Sequence, residues 1–265
     1  MSRTYVVTGS GSGIGKKTAE LLRERGDKVV GIDLKGGEIE ADLSTPEGRE
    51  AAAAKAIELS DGKFDAIIAC AGISAPIPKT VSINFFGVVE LIAKLRPTLA
   101  KSEAPRISVV SSMATLQTVS PEMVEAMLAG DEAKALEIAA SFLDENDQMA
   151  GYIAYPSSKR ALSRWVRRVC ITDEYAGAGI AVNAVAPAAV LTPMTKGLVD
   201  TEEGRELLAK TTPMPLNGFQ PAETIANALI WLTEESNTHC TGQTIYVDGG
   251  CDASLRGDDI WSWND

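Results

Sequence analysis

Short, uniformly apolar runs that recur between longer segments of helical periodicity most restrict the fold of this chain. Uniform rather than alternating hydrophobicity is typical of strands that are buried on both faces. The predicted strands cover residues 5–8, 29–33, 39–41, 66–69, 107–111, 180–185 and 243–247. Because helical segments separate these strands, the pattern predicts a parallel sheet covered on both faces, which is the doubly wound α/β fold.

Helical periodicity is interrupted by two stretches that the simple alternation does not require. The regular helices are predicted at residues 14–25, 46–59, 82–99, 155–175 and 221–232. The first interruption, residues 113–151, has the pattern of two amphipathic helices broken at Gly130-Asp131. The second, residues 190–219, is rich in Thr, Pro, Leu and Met and contains a short predicted helix near 202–210. We expect a single domain over residues 1–265, with 113–151 as a helical insertion after strand five.

Composition excludes several classes of function. The 25 basic and 36 acidic residues give a net charge of −11, which argues against nucleic acid as a partner. A single histidine, His239, rules out a serine-hydrolase triad, and four scattered cysteines show no metal-ligand spacing, so no metal site is predicted. The start MSRTYVVTG enters a strand at once, and no apolar run is long enough to span a bilayer. We therefore expect a cytoplasmic protein without membrane partners.

The glycine-rich stretch TGSGSGIGKKT at residues 8–18 connects the first strand to the first helix. Backbone N–H groups at such a junction, together with the helix N-terminus, attract an anion. The stretch fails the GxxxxGK[ST] pattern of triphosphatases, because Ser10 and Lys17 occupy two of its required positions. It also fails the plain GxGxxG pattern. The looser pattern TGxxxGxG fits Thr8, Gly9, Gly13 and Gly15.

Asp33 ends the second strand, 18 residues after Gly15. In a dinucleotide-binding fold, an acid here accepts hydrogen bonds from the adenosine ribose and repels a 2′-phosphate, so it predicts NAD rather than NADP. A simple turn residue is the alternative. Other candidates follow strands three to five, at the sheet edge where ligands bind in open α/β folds: Asp42, Leu43, Cys70, Ala71, Gly72, Ser111 and Ser112.

Tyr155 and Lys159, in YPSSK, lie four residues apart on a predicted helix, which places both side chains on one face. A cation near a phenol lowers the tyrosine pKa from about 10 toward neutrality. Tyr155 is thereby predicted to exchange a proton with a substrate oxygen. Because a YxxxK pair is common by chance, it indicates a catalytic pair only when the surrounding motifs support the same function.

Taken together, these motifs resemble the short-chain dehydrogenase/reductase family over nearly the whole chain. They occur in the family's order: TGSGSGIG, Asp33, Asp42-Leu43, CAG at 70–72, Asn84 in SINFFG, SSMA at 111–114, YPSSK at 155–159, NAVAPAAVLTPM from Asn183 and TGQTIYVDGG from Thr241. The resemblance implies a Rossmann fold and reversible hydride transfer between NAD and a secondary alcohol or ketone.

The resemblance also implies the role of each site residue. Tyr155 is the expected acid/base, Lys159 is expected to lower its pKa and hold the ribose, and Ser112 is expected to bind the substrate oxygen. Asn84 is expected to support a proton relay through water. The cofactor-binding residues carried over are Gly9, Ser12, Gly13, Ile14, Gly15, Asp33, Asp42, Leu43, Ala71, Gly72, Tyr155, Lys159, Pro187 and Thr192.

Three departures from the family pattern are present. Cys70 replaces the usual Asn of NAG, and Ala188 replaces the glycine after Pro187. The third is larger, because Ser112 and Tyr155 are 43 residues apart, whereas the common pattern separates them by about a dozen. The extra residues resemble those of the bacterial 3α-hydroxysteroid dehydrogenase/carbonyl reductase branch. An insertion there should block the usual tetramer interface, so we expect a homodimer; a role only as a lid is the alternative.

The expected substrate is a hydrophobic alcohol such as a hydroxysteroid. Alternatives are a sugar, polyol, terpene or aromatic alcohol, or a non-catalytic nicotinamide-binding sensor. Residues 190–219 are expected to form the substrate lid, with Leu191, Met194, Leu198, Met214, Leu216 and Phe219 as apolar candidates. Trp261 and Trp263 in the C-terminal tail are expected to pack on a neighbouring subunit or on the lid.

Overall fold

A parallel β-sheet forms the centre of the computed structural model, which describes residues 2–147 and 149–262. Its strands, in chain order, are β1 (Thr4–Thr8), β2 (Lys28–Asp33), β3 (Ile39–Glu40), β4 (Ala66–Ala69), β5 (Arg106–Val110), β6 (Ala181–Pro187), β7 (Val190–Leu191), β8 (Gln220–Pro221) and β9 (Thr244–Val247). Seven of them form one sheet in the order β3-β2-β1-β4-β5-β6-β9, and every pair is parallel. The predicted doubly wound α/β fold is confirmed. The strands β7 and β8 pair only with each other among the described residues.

Helices cover both faces of the sheet, because its strands are apolar on both sides. In chain order they are α1 (Gly13–Glu24), α2 (Pro46–Leu59), α3 (Lys79–Val81), α4 (Gly87–Leu99), α5 (Pro121–Leu128), α6 (Glu132–Ser141), α7 (Ala154–Val169), α8 (Lys196–Val199), α9 (Glu202–Thr211), α10 (Ala222–Leu232) and α11 (Cys251–Arg256). Helices α2, α4, α5, α6 and α7 supply one hydrophobic core, and α1 and α10 supply the other.

Strand order reverses beside β1, and this reversal locates the ligand-binding edge. From β1 the chain winds outward through β2 and β3, then returns to place β4 on the other side of β1. The two connecting loops therefore diverge at the carboxyl ends of β1 and β4, leaving a crevice between them. The glycine-rich stretch follows β1 and Cys70 follows β4, so both border this crevice.

Two predicted helices have different bounds from those expected. The fourth regular helix ends at Val169, not at residue 175, and a series of turns follows. Tyr175 still packs inward, with its ring at 6.1 Å from that of Trp165, because the turns fold it back on the helix. The preceding helix begins at Lys79 and contains a π-helical stretch, Ser82–Phe86, between α3 and α4. The periodicity did not reveal α8, α11 or the β7–β8 pair.

Two helices, α5 and α6, form in the 113–151 segment as predicted, and each is tied to the body of the protein by charge. Arg49 of α2 is fully buried and binds Glu132 of α6 through two hydrogen bonds of 2.7 and 2.8 Å. It also donates to Glu90 of α4 at 2.8 Å. On the other side, Glu125 of α5 accepts from Arg164 of α7 at 2.6 Å. These ion pairs therefore fasten the segment to two helices of the core, α2 and α7.

The C-terminal tail after α11 exposes a large aromatic surface. Trp261 is 73% exposed, so it does not pack on the lid in the described part of the chain. Trp263, the other predicted tail aromatic, lies outside the described residues. Nowhere in residues 2–147 and 149–262 is a helix both long and apolar enough to cross a bilayer.

Candidate active site

A cleft of about 400 Å³ opens at the carboxyl edge of the sheet, where the strand order reverses. Almost all of the predicted site residues line it: Gly9, Ser12, Gly13, Ile14, Gly15, Asp33, Asp42, Leu43, Ala71, Gly72, Ser112, Tyr155, Lys159, Pro187 and Thr192. Asn84 is the exception, because it lies behind the wall of the cleft. The fold therefore brings together residues that are spread over more than two thirds of the sequence.

The glycine loop forms a cradle in which Gly9 and Gly15 have no room for a side chain. Gly9 has φ +70°, and a Cβ there would lie 2.9 Å from the backbone nitrogen of Ala71. A Cβ on Gly15 would lie 2.2 Å from the carbonyl oxygen of Gly9. Ser12 precedes α1 in an extended conformation and its side chain makes no capping hydrogen bond. The N-terminal end of α1 therefore presents backbone N–H groups to the cleft, which suits a phosphate.

Asp33 lies at the end of β2, opposite this cradle. Its carboxylate accepts hydrogen bonds from the backbone N–H of Gly11 at 2.9 Å and of Lys35 at 3.2 Å. The side chain is half-buried and faces the cleft. A carboxylate held in this way keeps its remaining acceptor sites for a ligand, as a pair of ribose hydroxyls requires.

Lys79 is a cleft residue that the sequence patterns did not reveal. Its ammonium binds Asp42 at 2.9 Å. The hydroxyl of Ser44, at 2.6 Å, and this ammonium hold the pKa of Asp42 at about 2. No motif identifies Lys79, because it reaches Asp42 across 37 residues of sequence.

Tyr155 and Lys159 both reach the cleft from the first turns of α7, as their spacing predicted. The Lys159 ammonium donates to the carbonyl oxygen of Val110 at 2.8 Å and lies 5.8 Å from the centroid of the Tyr155 ring. Burial lowers the pKa of Lys159 to about 8. This hydrogen bond to the last residue of β5 fixes the position of the ammonium relative to the phenol ring.

The pKa of Tyr155 is not lowered overall in this structure, so the predicted effect of Lys159 stays a prediction. Burial raises the pKa of Tyr155, because a phenolate loses hydration, and the neighbouring Ser112 hydroxyl acts in the opposite direction. Lys159 is not among the causes of this shift, and its ammonium donates to the carbonyl oxygen of Val110. In the free protein, Tyr155 therefore stays protonated at neutral pH.

The two serines after β5 face different surroundings. Ser111 is buried, and its hydroxyl lies 2.7 Å from that of Ser163 on α7. Ser112 caps the 3-10 helix Met113–Leu116 by accepting from the backbone N–H of Ala114 at 3.1 Å. Because Ser112 also lies beside the Tyr155 phenol, it is the serine that can share a ligand atom with it.

Asn84 is fully buried in the π-helical stretch Ser82–Phe86. Its amide oxygen accepts from the backbone N–H of Ile73 at 2.8 Å, and its amide nitrogen donates to the Ile73 carbonyl at 2.9 Å. The amide nitrogen also donates to the hydroxyl of Ser158 on α7 at 3.2 Å. The irregular helix thus places Asn84 where it fixes the loop that follows β4 against the Tyr155 helix.

The 190–219 segment borders the cleft on the side away from Asp33. Thr192 approaches the glycine loop, since a Cβ on Gly13 would lie 3.4 Å from its methyl carbon. Met194 also lines the cleft. Several of the apolar side chains predicted for a lid are exposed: Leu191, Met194, Leu198 and Leu216.

These observations fit a dinucleotide. The glycine cradle and the N-terminus of α1 suit a pyrophosphate, and Asp33 at one end suits a ribose. Lys159 and Tyr155 stand at the other end of the same cleft. Among the described residues, no group of three or more His, Cys, Asp or Glu side chains is placed to hold a metal ion.

Comparison with known proteins supports the same interpretation. A family model described as enoyl-(acyl carrier protein) reductase matches residues 9–252. The chain is 34% identical over 257 residues to the 3-alpha-hydroxysteroid dehydrogenase/carbonyl reductase of Comamonas testosteroni, with 95% of this chain and 97% of the relative covered. It is 29% identical over 282 residues to glucose 1-dehydrogenase of Gluconobacter oxydans, with 99% and 96% covered.

A solved structure is also closely similar. The 3-alpha-hydroxysteroid dehydrogenase from Pseudomonas sp. B-0831, complexed with NADH, superposes with a TM-score of 0.85. The two sequences are 36% identical, and the match covers 97% of this chain and 100% of the other.

Proposed function

The chain belongs to the short-chain dehydrogenase/reductase family, and we propose that it interconverts a hydrophobic secondary alcohol and its ketone with NAD as the cofactor. Membership makes it an NAD(P)-dependent dehydrogenase or reductase of alcohols and ketones. The observation that carries the narrower proposal is the convergence of Ser112, Tyr155 and Lys159 with the glycine cradle in one cleft.

The cofactor, when bound, supplies the nicotinamide carbon that accepts or donates the hydride. The glycine loop and the N-terminus of α1 would hold its pyrophosphate, and Asp33 the adenosine ribose. Lys159 would hold the second ribose, and Thr192 the carboxamide. The remaining cleft residues would pack against the adenine and nicotinamide rings.

Tyr155 and Ser112 carry the proton chemistry. In the oxidation direction, the Tyr155 oxygen takes the proton from the substrate hydroxyl while the Ser112 hydroxyl donates a hydrogen bond to the same oxygen. Tyr155 can act as this base only after its own proton has passed to solvent, and burial, which opposes the phenolate, shifts that deprotonation to higher pH. Asn84 has a positioning role, since it fixes Ile73 and Ser158 around the Tyr155 helix.

The proposed preference for NAD depends on Asp33. Its carboxylate faces the cleft at the end of β2, and a 2′-phosphate placed there would meet a like charge. Lys35 follows closely and would weaken this repulsion without removing it. The match to a relative whose structure was determined with NADH supports the same preference.

The proposed substrate is a hydroxysteroid or another bulky apolar alcohol. Two observations support it: similarity to the Comamonas enzyme and the apolar residues that line the cleft, including Val190 and Met194. A sugar substrate is the second candidate, because the glucose 1-dehydrogenase match covers 99% of this chain. A non-catalytic sensor is disfavoured, because Tyr155 and Lys159 are both present and face the cleft.

We expect NAD to be reduced in the presence of 3α-hydroxysteroids, with a kcat/KM at least about tenfold higher than with NADP, because like charges meet at Asp33. The measurement is nicotinamide absorbance with both cofactors against steroid, terpene, aromatic, polyol and sugar alcohols. Asp33→Asn should narrow the ratio between the two cofactors while leaving the preferred alcohol unchanged. Preferential turnover of glucose would support the second candidate, and tight NADH binding without turnover of any alcohol would support a sensor.

We further propose a cytoplasmic homodimer. Four free cysteines suit a reducing compartment, and the exposed Trp231 and Trp261 offer apolar surface for a second subunit. Helix α5 packs against α7, which would keep α7 from the usual tetramer contact. Sedimentation equilibrium should give twice the chain mass of 28.0 kDa; a mass of one or four chains would contradict the dimer.

A further inference from the structure

A second cleft, of about 440 Å³, lies between α7, β9 and α11, on the far side of α7 from Tyr155. Four arginines line it, together with hydroxyl-bearing residues, and none of its lining residues in the described chain is acidic. We propose that this arginine cleft binds a small dianion, namely a phosphate group. The proposal concerns a separate site and does not rest on the function proposed above.

The sequence of α7 creates the positive wall of the arginine cleft. Arg160, Arg164 and Arg167 stand at positions i, i+4 and i+7, so all three project from one face of the helix. Arg256 of α11 faces them from the opposite wall. Such a concentration is unusual in a chain whose net charge is −11, and it is placed around a concave surface rather than spread over a solvated face.

Only part of this charge is neutralised within the protein. Arg164 binds Glu125 at 2.6 Å, and Arg256 binds Asp252 at 2.8 Å, with Asp248 also nearby. Arg160 uses one nitrogen to donate to a backbone carbonyl, that of Thr115. Its charge therefore remains unpaired by any described carboxylate.

Arg167 is the most available of the four. Among the described residues, no carboxylate lies within ion-pair distance of its guanidinium, and the side chain is exposed at the edge of the cleft. The cleft thus keeps two guanidinium groups, those of Arg160 and Arg167, for an anion.

The other walls add hydroxyls and rigidity. Thr244 of β9 lines the cleft, and its hydroxyl is buried with no hydrogen-bond partner among the described residues. Tyr246 bonds Thr115 through the two hydroxyls at 2.8 Å, and the Arg256 guanidinium lies 5.4 Å from the Tyr246 ring centroid. Stacking on the ring limits the freedom of Arg256, which reduces the entropic cost of binding a ligand.

Guanidinium chemistry favours phosphate as the occupant. Each guanidinium offers paired, coplanar N–H donors that match two phosphate oxygens, and a dianion satisfies two such groups at once. The arginine cleft also adjoins the segment after Ser112, because Thr115 forms part of its wall. A bound phosphate would therefore contact the reverse side of the segment that carries the proposed substrate-binding serine.

The test is isothermal titration of the full-length protein with inorganic phosphate, in the presence of saturating NADH so that the cofactor cradle is filled. Sodium chloride at equal ionic strength corrects for charge screening. Glycerol phosphate in a parallel arm distinguishes a phosphate monoester from the free ion. We expect saturable binding of one phosphate per chain.

Arg167→Gln should weaken phosphate binding at least about tenfold, since it removes a charge-assisted hydrogen-bond donor from the cleft. Arg168→Gln is the matched control. It removes the same charge from the next residue of α7, which is also exposed but does not line the cleft. It should change the affinity less than about twofold. Arg167→Lys should have an intermediate affinity for phosphate, because it keeps the positive charge and loses the paired N–H donors of the guanidinium.

Unchanged NADH affinity and an unchanged far-UV circular dichroism spectrum would show that each variant is folded. Because the Arg167 and Arg168 side chains are exposed, we expect all three variants to fold like the parent protein. Phosphate that produces no saturable heat beyond that of chloride would overturn the proposal. Equal weakening by Arg167→Gln and Arg168→Gln would overturn it as well, because the effect would then come from general surface charge.

Discussion

Tyr155→Phe is expected to lower kcat for alcohol oxidation by about 10²- to 10⁴-fold, the usual contribution of a positioned acid/base group. The phenol ring remains, so the packing of α7 and the affinity for the cofactor should change little. Steady-state kinetics with NAD and the best alcohol of the panel would measure the loss, and fluorescence titration would measure NADH binding.

Tyr152→Phe is the matched control, because it removes the same hydroxyl three residues earlier, from the 3-10 helix Ala150–Ile153. It should retain nearly full activity. The pH profile gives a second readout. Since burial raises the Tyr155 pKa in the free protein, the kcat/KM for oxidation should rise with pH through the alkaline range, and this rise should vanish in Tyr155→Phe. An active Tyr155→Phe enzyme would refute the proposed proton chemistry.

Glu132→Ala is expected to lower the free energy of unfolding by about 3 kcal/mol, because it leaves the buried Arg49 guanidinium short of its main partner. Arg49 is 0% exposed, and Glu132 binds it through both carboxylate oxygens at 2.7 and 2.8 Å. Glu90 remains as a partner at 2.8 Å but is partly exposed, so it compensates incompletely. Urea denaturation followed by circular dichroism would measure the change.

The same substitution should affect the cofactor cleft. Arg49 donates to the carbonyl oxygens of Leu43 at 2.9 Å and Ser44 at 3.2 Å, so it supports the loop that lines the cleft after β3. We therefore expect a higher KM for NAD in Glu132→Ala, with kcat less affected.

Glu137→Ala is the control for this prediction, because it makes the same change on α6. Glu137 is exposed and pairs only with Lys134 among the described residues, so its loss should cost less than about 0.5 kcal/mol. If the two variants were equally stable, the buried pair would not be what holds α6 in place.

Local patterns predicted the scaffold of the site well. Strand runs and helical periods depend on neighbours within a few residues, and the glycine loop, Asp33 and the Tyr155–Lys159 pair lie at the ends of those elements. In a parallel sheet, successive carboxyl ends meet at one edge, so element order alone predicts which residues converge. For the same reason, the fold class and most helix and strand bounds agree with the structure.

Other features depend on which distant segments meet, and no local pattern encodes that. Lys79 enters the cleft by pairing with Asp42, and Arg49 anchors α6 through Glu132, 83 residues away. The direction of the Tyr155 pKa shift was also beyond the sequence. The spacing predicted Lys159 beside the phenol. In the structure its ammonium donates to the carbonyl oxygen of Val110, and burial makes the net shift of the Tyr155 pKa upward.

The sequence by itself therefore determined the order of the elements, the edge of the sheet at which they converge, and the candidate side chains for the proposed proton chemistry. Each of these follows from residues that are close together in the sequence and from the periodicity of helices and strands. The tertiary structure alone decided which charges are buried, which are paired, and which remain available, as in the arginine cleft beside α7. Desolvation and ion pairing depend on three-dimensional surroundings, and these are set only when remote parts of the chain pack together.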